Sequence, residues 1–267
     1  MSGLVEGKTA VVTGSSSGIG AGIAKVLARE GADVVVHYRT NLAGARKTAR
    51  EVRGYGRRAL VVQADVRLAE EVNRLFNSVL GRFDRIDLLV NNAGMTTRRP
   101  FLESDEALFD AVMDTDVRGL FLCSHRAASI MKEQGGGRII NISSIHDKLT
   151  SHHFSLYAAA KGAVSRMTAA MAVDLADFGI TVNAIAPGWV PVESDGEYPK
   201  ALLDAFSRCV PAGRPGTPED VGELAAFLAS DRAAWLTGQV IHLDGGASCM
   251  IHMPSRRLDR HLYEPGT

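Results

Sequence analysis

The sequence predicts an α/β fold, a single-domain doubly wound parallel sheet with helices on both faces. Three features carry that expectation. Short β-branched runs alternate with longer helical segments from the first residues almost to the end. Those runs are continuously apolar, as strands covered on both faces must be. No internal repeat, low-complexity tract or long linker breaks the alternation. A length of 267 residues suits one large domain, although by itself it would also admit two small ones.

The strands are expected at residues 9–13 ("TAVVT"), 33–37 ("DVVVH"), 59–64 ("ALVVQA") and 86–90 ("IDLLV"), then at 137–142 ("GRIINI"), 180–186 ("ITVNAIA") and 239–243 ("QVIHL"). Helices are expected near 18–30, 41–54, 68–82, 105–133, 155–178 and 218–229. Gly31 marks the end of the first, and Thr217-Pro218-Glu219-Asp220 opens the last. Parallel neighbours require crossovers, which these helices supply. Residues 188–217, rich in Gly and Pro, form the main irregular region, and 189–215 reads as a lid over the substrate. Residues 1–251 then make the dinucleotide-binding and catalytic domain, and 252–267 a polar C-terminal tail.

Composition removes several function classes. Thirty basic residues balance thirty acidic ones, which argues against a nucleic-acid or membrane-surface partner, since both need a basic excess. Cys123, Cys209 and Cys249 have no disulfide or metal spacing and read as reduced thiols of a cytoplasmic protein. The N-terminus lacks the pattern of a signal peptide, and no apolar run approaches a membrane span.

The segment "VVTGSSSGIGAGIAKVLA" follows the first strand and opens the first helix. Gly14 permits a tight turn, Gly18 lets backbone approach a pyrophosphate, and Gly20 allows close packing of helix on strand. The helix N-terminus offers N–H groups and partial positive charge to phosphates. The spacing, GxxxGxG, departs from the commoner GxGxxG. The second strand ends "VVVHYRTN" with no acidic residue for the adenosine ribose; Arg39 either pairs with a 2′-phosphate or is a solvated loop arginine. NADP(H) is therefore favoured, with NAD(H) possible. Asp65, followed by Val66, either accepts from an adenine amino group or caps the next helix. "NNAG", ending in Asn92, Ala93 and Gly94, either passes close to the adenosine while its asparagines brace strands, or is a plain turn.

Tyr157 and Lys161 stand four apart on a helical segment and so share a face. A phenol is a poor base at neutral pH, and a nearby ammonium favours its ionised form. The lysine could also hold the nicotinamide ribose. Ser144, at the end of the fifth strand, could bond a substrate oxygen as charge develops on it.

With "TGSSSGIG", "DV" at 65–66, "NNAG", "ISS" at 142–144, "YAAAK", "PG" at 187–188 and "DGG" at 244–246 in order, the chain resembles the short-chain dehydrogenase/reductase family from about residue 5 to 250. The resemblance implies a Rossmann-type sheet of order 3-2-1-4-5-6-7 and a homotetramer. It implies Tyr157 as acid/base, Lys161 as its electrostatic helper and ribose ligand, and Ser144 as substrate-oxygen donor. The expected cofactor-binding set is Gly14, Ser16, Ser17, Gly18, Ile19, Gly20, Arg39, Asp65, Val66, Asn92, Ala93, Gly94, Tyr157, Lys161, Pro187, Gly188 and Val190.

Two positions depart from the family pattern. "MDTDVRGLFLC" puts Asp116, counted here with the catalytic residues, where the family has an asparagine that supports a water in a proton relay. "PGWVPVES" puts Val192 near a position where a threonine often bonds the nicotinamide carboxamide.

"SSIHDKLTSHHFSLYAAAKG" looks closest to glucose 1-dehydrogenases and related sugar dehydrogenases. His146 either bonds a substrate hydroxyl or is a loop histidine, and Trp189, near the lid's base, is expected with Ser144, His146 and Tyr157 among the substrate residues. Glu193, Asp195 and Glu197 in that lid suit a sugar or polyol better than an acyl chain. His146, His152 and His153 match no known metal site, so no metal is expected. The expected activity is hydride transfer between nicotinamide and a secondary alcohol or carbonyl of a sugar or polyol. The alternatives are a 3-oxoacyl-carrier-protein reductase, which would want more basic surface than Arg98-Arg99, and a non-catalytic dinucleotide-sensing regulator.

Overall fold

The apolar runs do form strands, and alternate residues along the first six enter two different cores. The computed structural model describes residues 3–192 and 198–250. Its strands are β1 (Thr9–Val12), β2 (Asp33–Tyr38), β3 (Ala59–Gln63), β4 (Leu88–Asn91), β5 (Gly137–Ile142), β6 (Ile180–Pro187) and β7 (Val240–Leu243). They make one seven-stranded sheet in the order β3-β2-β1-β4-β5-β6-β7, and every pairing is parallel. Ala10, Val12, Val34, Val36, Leu88 and Val90 face one core, whereas Val11, Val35 and Leu89 face the other. That two-residue period is the pleat itself, and both faces are dry because crossover helices cover them.

Helices α1 (Gly18–Arg29), α2 (Leu42–Gly54) and α8 (Pro218–Ala229) cover the first face, with Ile23, Leu27, Val52 and Val221 buried there. Helices α3 (Ala69–Phe83), α5 (Gly119–Glu133) and α6 (Ser155–Leu175) cover the second, with Leu75, Phe76, Met131 and Ala172. The start of α8 follows its sequence signal. Thr217 Oγ1 accepts from Asp220 N–H (3.1 Å) and Asp220 Oδ2 accepts from Thr217 N–H (2.8 Å), with Pro218 in the first turn. The three cysteines are unpaired, Cys123 being buried.

Two expectations need correction. The irregular region contains a helix, α7 (Lys200–Cys209), between Pro199 and Val210. Its pattern is amphipathic, but the flanking Gly and Pro residues masked it. The stretch expected as one helix over 105–133 is divided: α4 (Glu106–Met113) runs into a π-helical turn, Asp114–Arg118, before α5. The turn's wider winding buries Thr115 and Asp116. Glu193, Asp195, Glu197 and the tail 252–267 lie outside the described residues.

Helices α1 and α8 touch through glycine. A Cβ on Gly22 would collide with Pro218, whose carbonyl carbon and oxygen would lie 2.7 and 2.8 Å away. Backbone at that distance cannot yield as a side-chain tip can. Gly22→Ala is therefore expected to destabilise the fold by about 1–3 kcal/mol, read as a lower urea midpoint with an unchanged slope.

Candidate active site

All seven strands point their carboxyl ends to one edge of the sheet, and ligands of open α/β sheets bind in the crevice there, where strand order reverses between β1 and β4. A cavity of about 620 Å³ occupies that crevice. The turn after β1 forms its floor. Gly14 has φ of +64°, and a Cβ on it would stand 2.9 Å from the Ala93 Cα, so only glycine fits. A Cβ on Gly20 would meet the Gly14 carbonyl oxygen at 2.5 Å. Asn92 braces this turn, donating from Nδ2 to Thr13 O (2.9 Å) and Gly14 O (3.1 Å). Asn91 braces the sheet, donating to Ser124 Oγ and Asn141 Oδ1.

His37 is a further support that the sequence reading missed. Its Nδ1 accepts from Gly14 N–H (2.8 Å), and its Nε2 bonds Ala64 O (2.9 Å). An acceptor Nδ1 fixes the neutral, Nε2-protonated ring. Burial pushes its pKa below 6.5, overcoming the Ala64 hydrogen bond and the Asp65 charge that act to raise it.

The expected cofactor residues Ser16, Ser17, Ile19, Gly20, Arg39, Asp65, Val66, Asn92, Ala93, Gly94 and Val190 line this cavity. Asp65 does not cap α3. Its carboxylate takes a two-pronged ion pair from Arg67 (2.6–3.1 Å), which holds its pKa below the usual carboxylate range despite partial burial. Thr40, Asn41 and Thr115 also line the cavity. Thr40 and Asn41 follow Arg39 in sequence, whereas Thr115 arrives by way of the π turn. Val192 lies over Gly18, its Cγ1 3.3 Å from where a Cβ would be.

A second cavity of about 140 Å³ shares Ile19, Asn92, Gly94, Met95 and Thr96 with the first. Ser144, Tyr157, Lys161, Asp116, Pro187 and Gly188 also line it. Ser144 comes from the end of β5, buried, with Oγ accepting from His146 N–H (3.2 Å). Tyr157 and Lys161 project from the first turns of α6, the ammonium 5.5 Å from the tyrosine ring centre. Lys161 Nζ donates to Ile142 O (3.1 Å) and lies 3.0 Å from Asp116 Oδ2. The latter contact is close but poorly angled, so charge carries it rather than a directed hydrogen bond. Burial pushes the Lys161 pKa down, but Asp116 and then Tyr157 push it up, and the net direction is up.

Two expected substrate residues sit apart. The His146 ring stacks on Phe154 (centroids 4.6 Å apart) and meets Tyr157 edge-on at 5.6 Å. Trp189 stacks on Phe206 of α7 at 3.9 Å. Neither lines either cavity. Among the described residues, no three His, Cys, Asp or Glu side chains gather as a metal site would need.

The glycine cradle, the long polar cavity and the adjoining Tyr–Lys–Ser pocket fit a nicotinamide dinucleotide. Comparison with known proteins agrees. Residues 14–248 match a family model described as enoyl-(acyl carrier protein) reductase. A 3beta-hydroxysteroid dehydrogenase of Eggerthella lenta is 40% identical over 91% of this chain and 94% of its own. A 3-oxoacyl-(acyl-carrier-protein) reductase of Staphylococcus aureus is 38% identical over 90% and 97%. The crystal structure of a gluconate 5-dehydrogenase from Burkholderia cenocepacia, in complex with NADP and tartrate, superposes with a TM-score of 0.86 at 34% identity, covering 92% of this chain and 97% of that one.

Because folded His37 resists protonation, the unfolded chain binds more protons as pH falls below about 6.5, and stability falls with pH. His146, its pKa also lowered by burial, acts in the same direction. Thermal melts from about pH 8 to 5 are expected to show a falling midpoint, with a shallower fall in His37→Asn than in wild type.

Proposed function

The chain belongs to the short-chain dehydrogenase/reductase family, and on that footing we propose that it is an NADP(H)-preferring oxidoreductase of a small polyhydroxylated substrate, a sugar or polyol. It is an oxidoreductase acting on CH–OH groups, and its family binds a nicotinamide dinucleotide. When bound, that cofactor accepts or supplies the hydride. One observation carries the rest: Ser144, Tyr157 and Lys161 line a single small pocket continuous with the long cavity.

In this reading Tyr157 holds the transferred proton on its phenol oxygen. It accepts the proton from an alcohol in oxidation and gives it to a carbonyl oxygen in reduction. Ser144 Oγ donates to the same substrate oxygen and steadies its charge. Lys161, buried and charged, orients the tyrosine and offers N–H donors to a ribose. Gly14, Ser16, Ser17 and Ile19 receive the pyrophosphate at the start of α1, while Pro187, Gly188 and Val190 flank the nicotinamide end.

The preference for a small polar substrate is supported by the modest size of the second cavity and its Ser, Thr, Asp, Tyr and Lys lining. A structural neighbour described as a gluconate 5-dehydrogenase points the same way. The acyl-reductase alternative is favoured by the 38% identity to the Staphylococcus aureus reductase. A homotetramer fits the apolar side chains left exposed: Phe101, Leu102, Phe109 and Phe121 lie around α4 and α5, and Trp235 is fully exposed before β7. Light scattering on the eluting protein is expected to give four times the 28.5 kDa chain mass.

Arg39 lines the long cavity, at the end this reading gives to the adenosine, and the Asp65 carboxylate is already engaged by Arg67. Arg39→Ala is expected to raise the KM for NADP⁺ about tenfold, the scale of one charge-assisted contact, and to leave that for NAD⁺ nearly unchanged.

The test follows nicotinamide absorbance with aldoses, polyols, secondary alcohols and, in reverse, an acetoacetyl thioester. Turnover of a sugar or polyol by wild type, lost in Tyr157→Phe with cofactor binding retained, is the expected result. Preference for the thioester would favour the acyl reductase. Cofactor binding without turnover across the panel would count against both readings and leave the regulator.

A further inference from the structure

We infer that Asp116 is a positioning residue that cancels the Lys161 charge beside Tyr157, so that the site holds its proton through neutral pH and removes one from an alcohol only at higher pH. This deepens the function proposed above, because it sets the pH range in which the pocket protonates a carbonyl oxygen.

The carboxylate is built in as an acceptor on both sides. Met95 N–H donates to Oδ1 (2.8 Å), and Oδ2 faces the ammonium at 3.0 Å with no exposure to solvent. An asparagine turned to accept from Met95 would present its NH₂ to the lysine, donor against donor. The π turn, which brings Asp116 inward, and Gly94, whose Cβ would sit 3.0 Å from Oδ2, make room for this group.

The charges facing the pair can be followed element by element. From α6 come Tyr157 and Lys161, and from the π turn Asp116. From the turn after β5 comes His146, edge-on to the tyrosine, with burial disfavouring its charged form. Asp147 is spent on His242 of β7 (2.9 Å) and Ser165 (2.7 Å). With Asp116 present, the Tyr157–Lys161–Asp116 group is neutral before deprotonation and carries one negative charge after it. Without the carboxylate it is positive before and neutral after. Losing the proton is easier in the second case, whichever of the two coupled groups is credited with it.

The experiment follows tyrosinate absorbance against pH in wild type and Asp116→Asn, each paired with its Tyr157→Phe partner. Subtraction isolates Tyr157 from the other tyrosines among the five in the chain. The expected result is a Tyr157 step roughly one pH unit lower in Asp116→Asn, the scale of one partly screened charge. Where substrate is in hand, the rise of the oxidation rate with pH moves by the same amount. A purely structural role would lower kcat at every pH and leave the step in place. An unmoved step overturns the inference, and so does an upward one, which would mean that Asp116 chiefly keeps the lysine charged. Asp116→Ser, smaller than the native side chain, serves if the asparagine variant does not fold. Because the absorbance readout needs no substrate, a failed substrate panel and a failed inference remain distinguishable.

Discussion

A lysine ammonium buried away from water must be paired or it will not stay charged, and that constraint organises the carboxyl edge of this sheet. Lys161 is met by the Ile142 carbonyl at the end of β5 and by Asp116 on the π turn. Asp116 in turn holds the Met95 amide, in the loop that follows β4. One cation thus ties α6, β5, the α4–α5 junction and the 94–95 loop into the wall of a single pocket. The irregular winding at 114–118 belongs to this arrangement, since a regular helix would place residue 116 at a different angle to the pocket.

The other end of the crevice is held by neutral groups. Gly14 turns tightly, His37 accepts its amide, and Asn92 caps the neighbouring carbonyls. The Ser15 amide and hydroxyl are likewise held by protein, donating to His37 O and Val12 O, and α1 begins directly beyond this turn. The two ends therefore differ in character: a glycine turn braced by neutral groups, and a pocket lined by a buried ion pair. The Ser143–Ser165–Asp147–His242 chain links the pocket's outer turn to β7, so the site is braced across three elements.

Much of the fold was legible in the residues. All seven strands fall within two residues of their expected bounds, because parallel strands covered on both faces are rich in apolar residues, even at the partly exposed edges β3 and β7. Helix starts were legible where a cap was present, as at Thr217. The helix Lys200–Cys209 was hidden by the Gly- and Pro-rich stretches around it. The π turn was hidden because its sequence keeps a helical apolar period on both sides.

The sequence by itself determined the alternation of strands and helices, the glycine turn, and the shared helix face of Tyr157 and Lys161, since each depends on local period or on residues close in the chain. Only the tertiary structure decided the partners. His37 lies 23 residues from the amide it holds, Asp116 lies 45 from its lysine, and Asp147 lies 95 from His242. His146 and Trp189 turned to aromatic neighbours rather than to the cavities. The reason is that a hydrogen bond or ion pair between distant residues leaves no spacing to read; it exists only once parallel crossovers have brought the strand ends together.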